Sequence, residues 1–262
     1  MAAPLPTPAV ALAIAAHPDD IEFCCGATLA RWARDGCVVH HLICTDGSKG
    51  TWDPDADLGA LVARRRVEQR AAAATLGATG EVVFLDEVDG TLVANPMTVA
   101  RVAHTIRRLR PDVVLGHDPW KRYRLHPDHR AAGWLAVDAV VAARDPHFFR
   151  EQLVDGLTHH RPSALLLFEA DEANHAEPAD PPSISAKLSA LEAHESQLET
   201  THFYALDETL DDPADSTSGQ TGADARHSLL AGFRDRERRK LAVAGAAFGL
   251  EAAEVFHLID DL

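Results

Sequence analysis

His17, Asp20 and His129 are the residues of this chain best suited to chemistry, and two short clusters carry them. His17-Pro18-Asp19-Asp20 directly follows the apolar run Ala9–Ala16, and His126-Pro127-Asp128-His129 repeats the His-Pro-Asp core much later. Two imidazoles and a carboxylate can hold a zinc ion and leave one coordination position open for water. His17 and Asp20 are three residues apart, so both side chains can face one point where a strand turns into a helix or tight loop. His129 supplies the third donor. Asp19 points elsewhere, so it can stay off the metal and take a proton from water, whose pKa zinc lowers to about 7. A single His-Pro-Asp tripeptide is more often a turn or a helix cap, since Asp favours N-caps and Pro the first helical turn. Two of them together point to a metal-dependent hydrolase.

Such a cluster needs a scaffold, and the apolar pattern provides one. Val10–Ala16, Val38–Cys44, Val82–Leu85, Val113–Gly116 and Ala164–Phe168 read as buried strands. Helical stretches lie near Ala27–Arg34, Leu58–Leu76, Met97–Leu109 and Ala131–Ala143. This alternation predicts an α/β fold, a Rossmann-like three-layer sandwich whose mostly parallel central sheet is covered on both faces. Functional groups in such sheets gather beyond the carboxyl ends of the strands. His17, the turn Thr45-Asp46-Gly47 and the turn His117-Asp118-Pro119 all follow strands there. A last helix around Arg234–Lys240 and a final strand over Glu254–Ile259 complete the pattern.

The 262 residues suit one α/β domain over 1–262, and 46% hydrophobic content is enough for a sizeable core. The acidic stretch at 205–226 reads as a mobile, solvated loop. A net charge of −15 argues against nucleic acid as a partner. Val10–Ala16 is far too short to span a bilayer. The first residues lack the basic segment of a secretory signal. Cys24, Cys25, Cys37 and Cys44 form no C-x-x-C pair and read as small buried thiols in a reducing cytoplasm.

Ala16-His17-Pro18-Asp19-Asp20-Ile21-Glu22 with Gly26-Ala27-Thr28-Leu29 resembles the first motif of the PIG-L/LmbE-like zinc N-deacetylases. Asp118-Pro119-Trp120 through His126-Pro127-Asp128-His129 resembles their second motif, and Ala193-His194-Glu195-Ser196-Gln197 is similar to a later His-x-Ser-Gln element. The resemblance implies that His17, Asp20 and His129 bind the metal and that Asp19 is the general base. It makes His126 the charged acid or oxyanion stabiliser, oriented by Asp128. Ile21 stands where the better-known motif has Glu, leaving Glu22 without a role, and Arg124 replaces a tyrosine found in some members, with Tyr123 one position away.

Leu58, Leu61, Arg65, Glu68, Ala72 and Leu76 share one stripe at helical spacing. A charged pair on an apolar face is costly to bury unless paired, so Arg65–Glu68 reads as a structural ion pair. The resemblance, through an Arg-x-x-Glu element, instead sends Arg65 to substrate hydroxyls. His194 joins the substrate site by resemblance alone. Asp46 joins it through its place after a strand, although an ordinary turn role would serve as well. A dinucleotide-binding oxidoreductase would need a glycine-rich turn where His-Pro-Asp-Asp stands. A two-His-one-carboxylate iron enzyme shares the ligand set, so Fe2+ is an alternative to Zn2+. A non-catalytic sugar-binding protein would need neither Asp19 nor His126. The expectation is a cytoplasmic zinc amidase that removes an acyl group, acetyl above all, from a small sugar or sugar conjugate. Neither nucleic acid nor membrane is expected as a partner, and a homo-oligomer stays open.

Overall fold

The computed structural model describes residues 3–154, 156–203 and 222–262. The strands are β1 (Val10–Ala15), β2 (Val38–Thr45), β3 (Val82–Glu87), β4 (Val113–His117), β5 (Ala164–Phe168), β6 (His175–Pro178) and β7 (Ala253–Ile259). Between them lie α1 (Asp20–Arg34), α2 (Leu58–Thr75), α3 (Pro96–Leu109), α4 (Pro127–Arg144), the single turn α5 (Glu151–Val154), α6 (Pro181–Glu192) and α7 (Gly222–Ala246). The strands form one sheet in the order β3-β2-β1-β4-β5-β7-β6. β1 to β5 run parallel, while β7 is antiparallel to both β5 and β6. Helices cover both faces, as the alternation predicts. Most of the acidic stretch at 205–226 lies outside the described residues, but 222–226 belong to α7, not to a loop.

Alternate residues of a strand face opposite layers. Leu12 and Ile14 of β1 join the core under α3 and α4, whereas Ala11, Ala13 and Ala15 pack with Ile21, Leu29 and Trp32 of α1. β2 follows the same rule, so His41 shares the α1 side with Val39 and Ile43. The sheet's interior strands are thus buried on both faces, which explains their unbroken apolar runs.

α4 approaches β4 closely because two glycines permit it. A Cβ on Gly133 would lie 2.7 Å from the carbonyl oxygen of His117 and 2.9 Å from the nitrogen of Pro119. A Cβ on Gly116 would lie 2.7 Å from that of Ala136. Helix propensity alone favours Ala over Gly by about 1 kcal/mol. Gly133→Ala is nevertheless expected to destabilise the protein by about 1–3 kcal/mol, because a rigid backbone stands in the way. Thermal unfolding measures this, and an unchanged or raised midpoint would show that α4 can give way.

Candidate active site

Strand order reverses at β1, which pairs with β2 on one side and β4 on the other. Ligand sites in open α/β sheets form at such a crevice. His17 lies just beyond β1, and His117 ends β4 beside it. Asp20 opens α1, while His126 caps α4 and Pro127 fills its first position, placing His129 in the first turn. The two His-Pro-Asp clusters therefore meet because each joins a strand end or a long loop to a helix start.

The three expected metal donors converge. His17 Nδ1 is 3.3 Å from Asp20 Oδ2 and 3.2 Å from His129 Nε2, and His129 Nε2 is 3.4 Å from Asp20 Oδ1. Donor atoms held tetrahedrally around zinc at about 2.0–2.1 Å lie roughly 3.3–3.4 Å from one another. The closest donor pairs have that spacing, with the two imidazoles meeting different oxygens of Asp20. His126 is close enough to contribute to such a set with His17 and His129, but it is exposed at the rim.

The same groups also set one another's protonation. Burial works to lower the pKa of His17, yet the carboxylates of Asp128, Asp20 and Asp89 outweigh it and hold it well above its ordinary value. Burial works to raise Asp20, and His129, His117 and His17 outweigh it, so its carboxyl stays ionised. Burial dominates at His129 and lowers its pKa, leaving the neutral imidazole that a metal requires. Carboxylates and imidazoles thus alternate around the cluster, with Asp20 between His17, His117 and His129.

Carboxylates also stand behind the imidazoles. His17 Nε2 is 3.2 Å from Asp128 Oδ2 and 3.3 Å from Asp89 Oδ1. A His17 that gives up its Nδ1 proton to a metal would keep its Nε2 proton on these carboxylates and turn the Nδ1 lone pair toward Asp20 and His129, the arrangement that orients metal-binding imidazoles. Asp128 additionally accepts from the Gly90 and Leu92 amides at 2.6 and 3.1 Å. This corrects the expected pairing of Asp128 with the His126 ring. His126 Nδ1 instead accepts from the Asp128 backbone amide at 3.3 Å, as a helix N-cap. Burial, with His17 and His129 nearby, lowers the His126 pKa, and Asp128 does not reverse that. That direction runs against the charge expected of His126.

Sequence reasoning missed Asp89, Glu169 and Gln69, and it noted His117 only as a turn. His117 Nε2 lies 3.4 Å from Asp20 Oδ2, and its Nδ1 lies 3.2 Å from Glu169 Oε2. Arg124 binds Glu169 and also reaches His129 Nδ1, so the residue replacing the tyrosine of some family members braces the His129 imidazole. Asp89 follows β3 and Glu169 follows β5, and their place at the carboxyl edge was the available signal.

Asp19 adopts φ 98°, a left-handed conformation that is costly for a residue with a side chain. Gln69 of α2 holds it there by accepting from the Asp19 amide at 3.0 Å. Gln69 Nε2 in turn donates to Glu22 Oε1 at 2.8 Å. Glu22, His41 and His194 are fully buried together, with His194 Nε2 3.4 Å from Glu22 and His41 Nδ1 3.7 Å from it. Glu22 thus gains a role as the anchor of this network. His194 lies behind Asp19 rather than at the site mouth.

Arg65 does not pair with Glu68, contrary to the ion-pair reading. Glu68 binds Arg64 at 2.9 Å and the Ser196 amide and hydroxyl at 2.9 and 2.6 Å. Arg65 is 3% exposed; it donates to the carbonyls of Gly47 and Pro18 at 2.8 and 2.6 Å and sits 3.7 Å from Asp19. Burial raises the Asp19 pKa to about 6, against the lowering pull of Arg65 and His194. Asp46 accepts from the Ser48 and Asp89 amides at 3.0 and 3.1 Å, so it shapes the loop that carries Asp89.

The fold and this site define a class. Residues 12–140 match the family described as PIG-L: GlcNAc-PI de-N-acetylase. A diacetylchitobiose deacetylase of Thermococcus kodakarensis is 36% identical over 188 residues, covering 71% of this chain and 69% of that protein. The chain belongs to the PIG-L family. A 1D-myo-inositol 2-acetamido-2-deoxy-alpha-D-glucopyranoside deacetylase of Rhodococcus erythropolis is 34% identical over 156 residues, half of this chain. The chain spans about half the length of that relative and its Rhodococcus opacus counterpart. The structure of N,N'-diacetylchitobiose deacetylase from Pyrococcus horikoshii, solved with an inhibitor, superposes with a TM-score of 0.79 at 25% identity. That match covers 97% of this chain and 84% of the other.

Proposed function

We propose that this protein is a metal-dependent amidase that removes an acetyl group from the nitrogen of a small N-acetylated sugar. One observation carries the reading. Asp19, a buried carboxylate with a pKa of about 6, adjoins a three-donor cluster without belonging to it. A purely binding site has no use for a base beside its metal. The sugar N-deacetylases among its relatives support the substrate class.

A zinc ion held by His17, Asp20 and His129 would supply Lewis acidity toward the amide carbonyl. The same donor set suits ferrous iron. Asp19 takes a proton from the attacking water, and the proton passes on to the leaving nitrogen, so the products are acetate and a free amine. His126 Nδ1 accepts a hydrogen bond from the Asp128 amide, so in the neutral ring Nε2 carries the hydrogen and can donate to the oxyanion that develops on the carbonyl. Asp128 and Asp89 orient His17, while Arg65 holds the Asp19 loop through the Pro18 carbonyl. Four unpaired cysteines support action in a reducing cytoplasm. Among the described residues no helix is long and apolar enough to cross a membrane.

The test is amine release from N-acetylglucosamine, N,N'-diacetylchitobiose and an N-acetylglucosaminyl inositol, before and after chelation. Zinc-restored release from at least one of them is expected. No release from any of the three by metal-replete protein would overturn the proposal.

A further inference from the structure

We infer that the buried ion pair Lys187–Glu254 positions Asp20 for metal binding, an inference resting on the metal-centre reading above. α1 is not one continuous helix. Cys25 stands at φ −144° and ψ 17°, so residues 20–24, which carry the Asp20 donor, form a single turn before a break. One turn fixes several backbone dihedrals for few hydrogen bonds, so it does not hold itself in water. Its far end needs a partner from another element.

Lys187 and Glu254 are that partner. Lys187 Nζ, from α6, donates to the Phe23 carbonyl at 2.6 Å and to Glu254 Oε1 at 2.7 Å. Glu254, from β7, accepts from the Ala27 and Thr28 amides at 3.0 and 2.7 Å. A regular helix would pair the Ala27 amide with the Phe23 carbonyl, and here the ion pair takes hold of both groups at the break. The ammonium meets the carbonyl end of the first segment and the carboxylate the amide end of the second. Each is the charge that a helix end favours.

Both side chains are buried, and well-packed apolar residues would often serve stability as well as a buried ion pair. Apolar residues could not bind one carbonyl and two amides. Burial works to lower the Lys187 pKa, and the Glu254 carboxylate outweighs it, so the ammonium stays charged. Asp20, Lys187 and Glu254 border one cleft. On the α2 side the same turn is held by the hydrogen bond from Gln69 to Glu22 at 2.8 Å. Asp20 therefore sits on a short turn with two anchors. A tilt of that turn would carry its oxygens away from His17 and His129, which they approach at 3.3 and 3.4 Å.

Zinc affinity of folded variants, measured by chelator competition, tests this. Glu254→Gln keeps an acceptor for one amide, turns an NH2 group toward the other and leaves the Lys187 ammonium uncompensated. Its zinc dissociation constant is expected to rise about tenfold or more. Lys187→Met combined with Glu254→Gln removes both charges, so its thermal midpoint should exceed that of Glu254→Gln while its zinc affinity stays weakened. That split separates positioning from stabilisation, and the double variant carries the test if Glu254→Gln does not fold. Wild-type zinc affinity in the folded double variant, or affinity that recovers in step with the midpoint, would overturn the inference. If the wild-type protein binds no zinc, the metal-centre reading fails, and hydrogen exchange of the amides at 20–24 decides the rest. Faster exchange there in the double variant, with α3 unchanged, supports the hold of Lys187–Glu254 on the turn, and unchanged exchange overturns it.

Discussion

Asp19→Asn is expected to lose about a hundredfold or more in turnover while keeping its metal, the scale on which general-base catalysis acts. Asn matches Asp in size and tolerates the left-handed backbone better than most residues, so the loop at φ 98° should survive the change. What disappears is basicity. In the wild-type protein the base works only when ionised, and burial sets its pKa near 6. Turnover should therefore fall as pH drops through about 6, and a cation at the adjacent donors would move that limb lower still. Measuring kcat between acid and neutral pH, together with metal content, separates the roles. A metal-replete Asp19→Asn enzyme with near-normal kcat would show that another group takes the proton.

The parallel strands β1 to β5 were legible because burial on both faces demands continuous apolar runs, and those runs are visible in the sequence. β6 was not. Its residues His175-Ala176-Glu177-Pro178 have no strand pattern, and their burial comes from pairing with β7 and from the Glu177 ion pair with Arg31. α6 was missed as well, because Pro181-Pro182 reads as loop, although Asp180 as N-cap before a proline is a helix start. α1 begins at Asp20, earlier than its apolar pattern suggests, and the non-helical Cys25 interrupts that pattern.

The candidate site divides along similar lines. The proposed metal donors stand in two recognisable clusters, and the fold brings those clusters together. Their supports are single residues contributed by other strand ends, such as Asp89 after β3 and Glu169 after β5, and only the folded sheet brings them near. Adjacency misled at Asp128. It neighbours the His126 cluster in sequence, but the start of α4 turns its carboxylate toward His17, while the His126 ring caps the helix. The Arg65–Glu68 pairing failed because Arg65 reaches the Pro18 and Gly47 carbonyls, and Glu68 binds Arg64 and Ser196 instead.

The central claim is that His17, Asp20 and His129 form one metal centre. Two imidazoles and a carboxylate lie within 3.2–3.4 Å of one another, and removing either imidazole leaves too few donors for a tight site. Elemental analysis of purified wild-type protein, His17→Ala and His129→Ala after zinc loading and exhaustive dialysis measures this directly. The wild-type protein is expected to retain about one zinc per chain, and each variant, folded by circular dichroism, well under half of that. Full zinc retention in both folded variants would contradict the account.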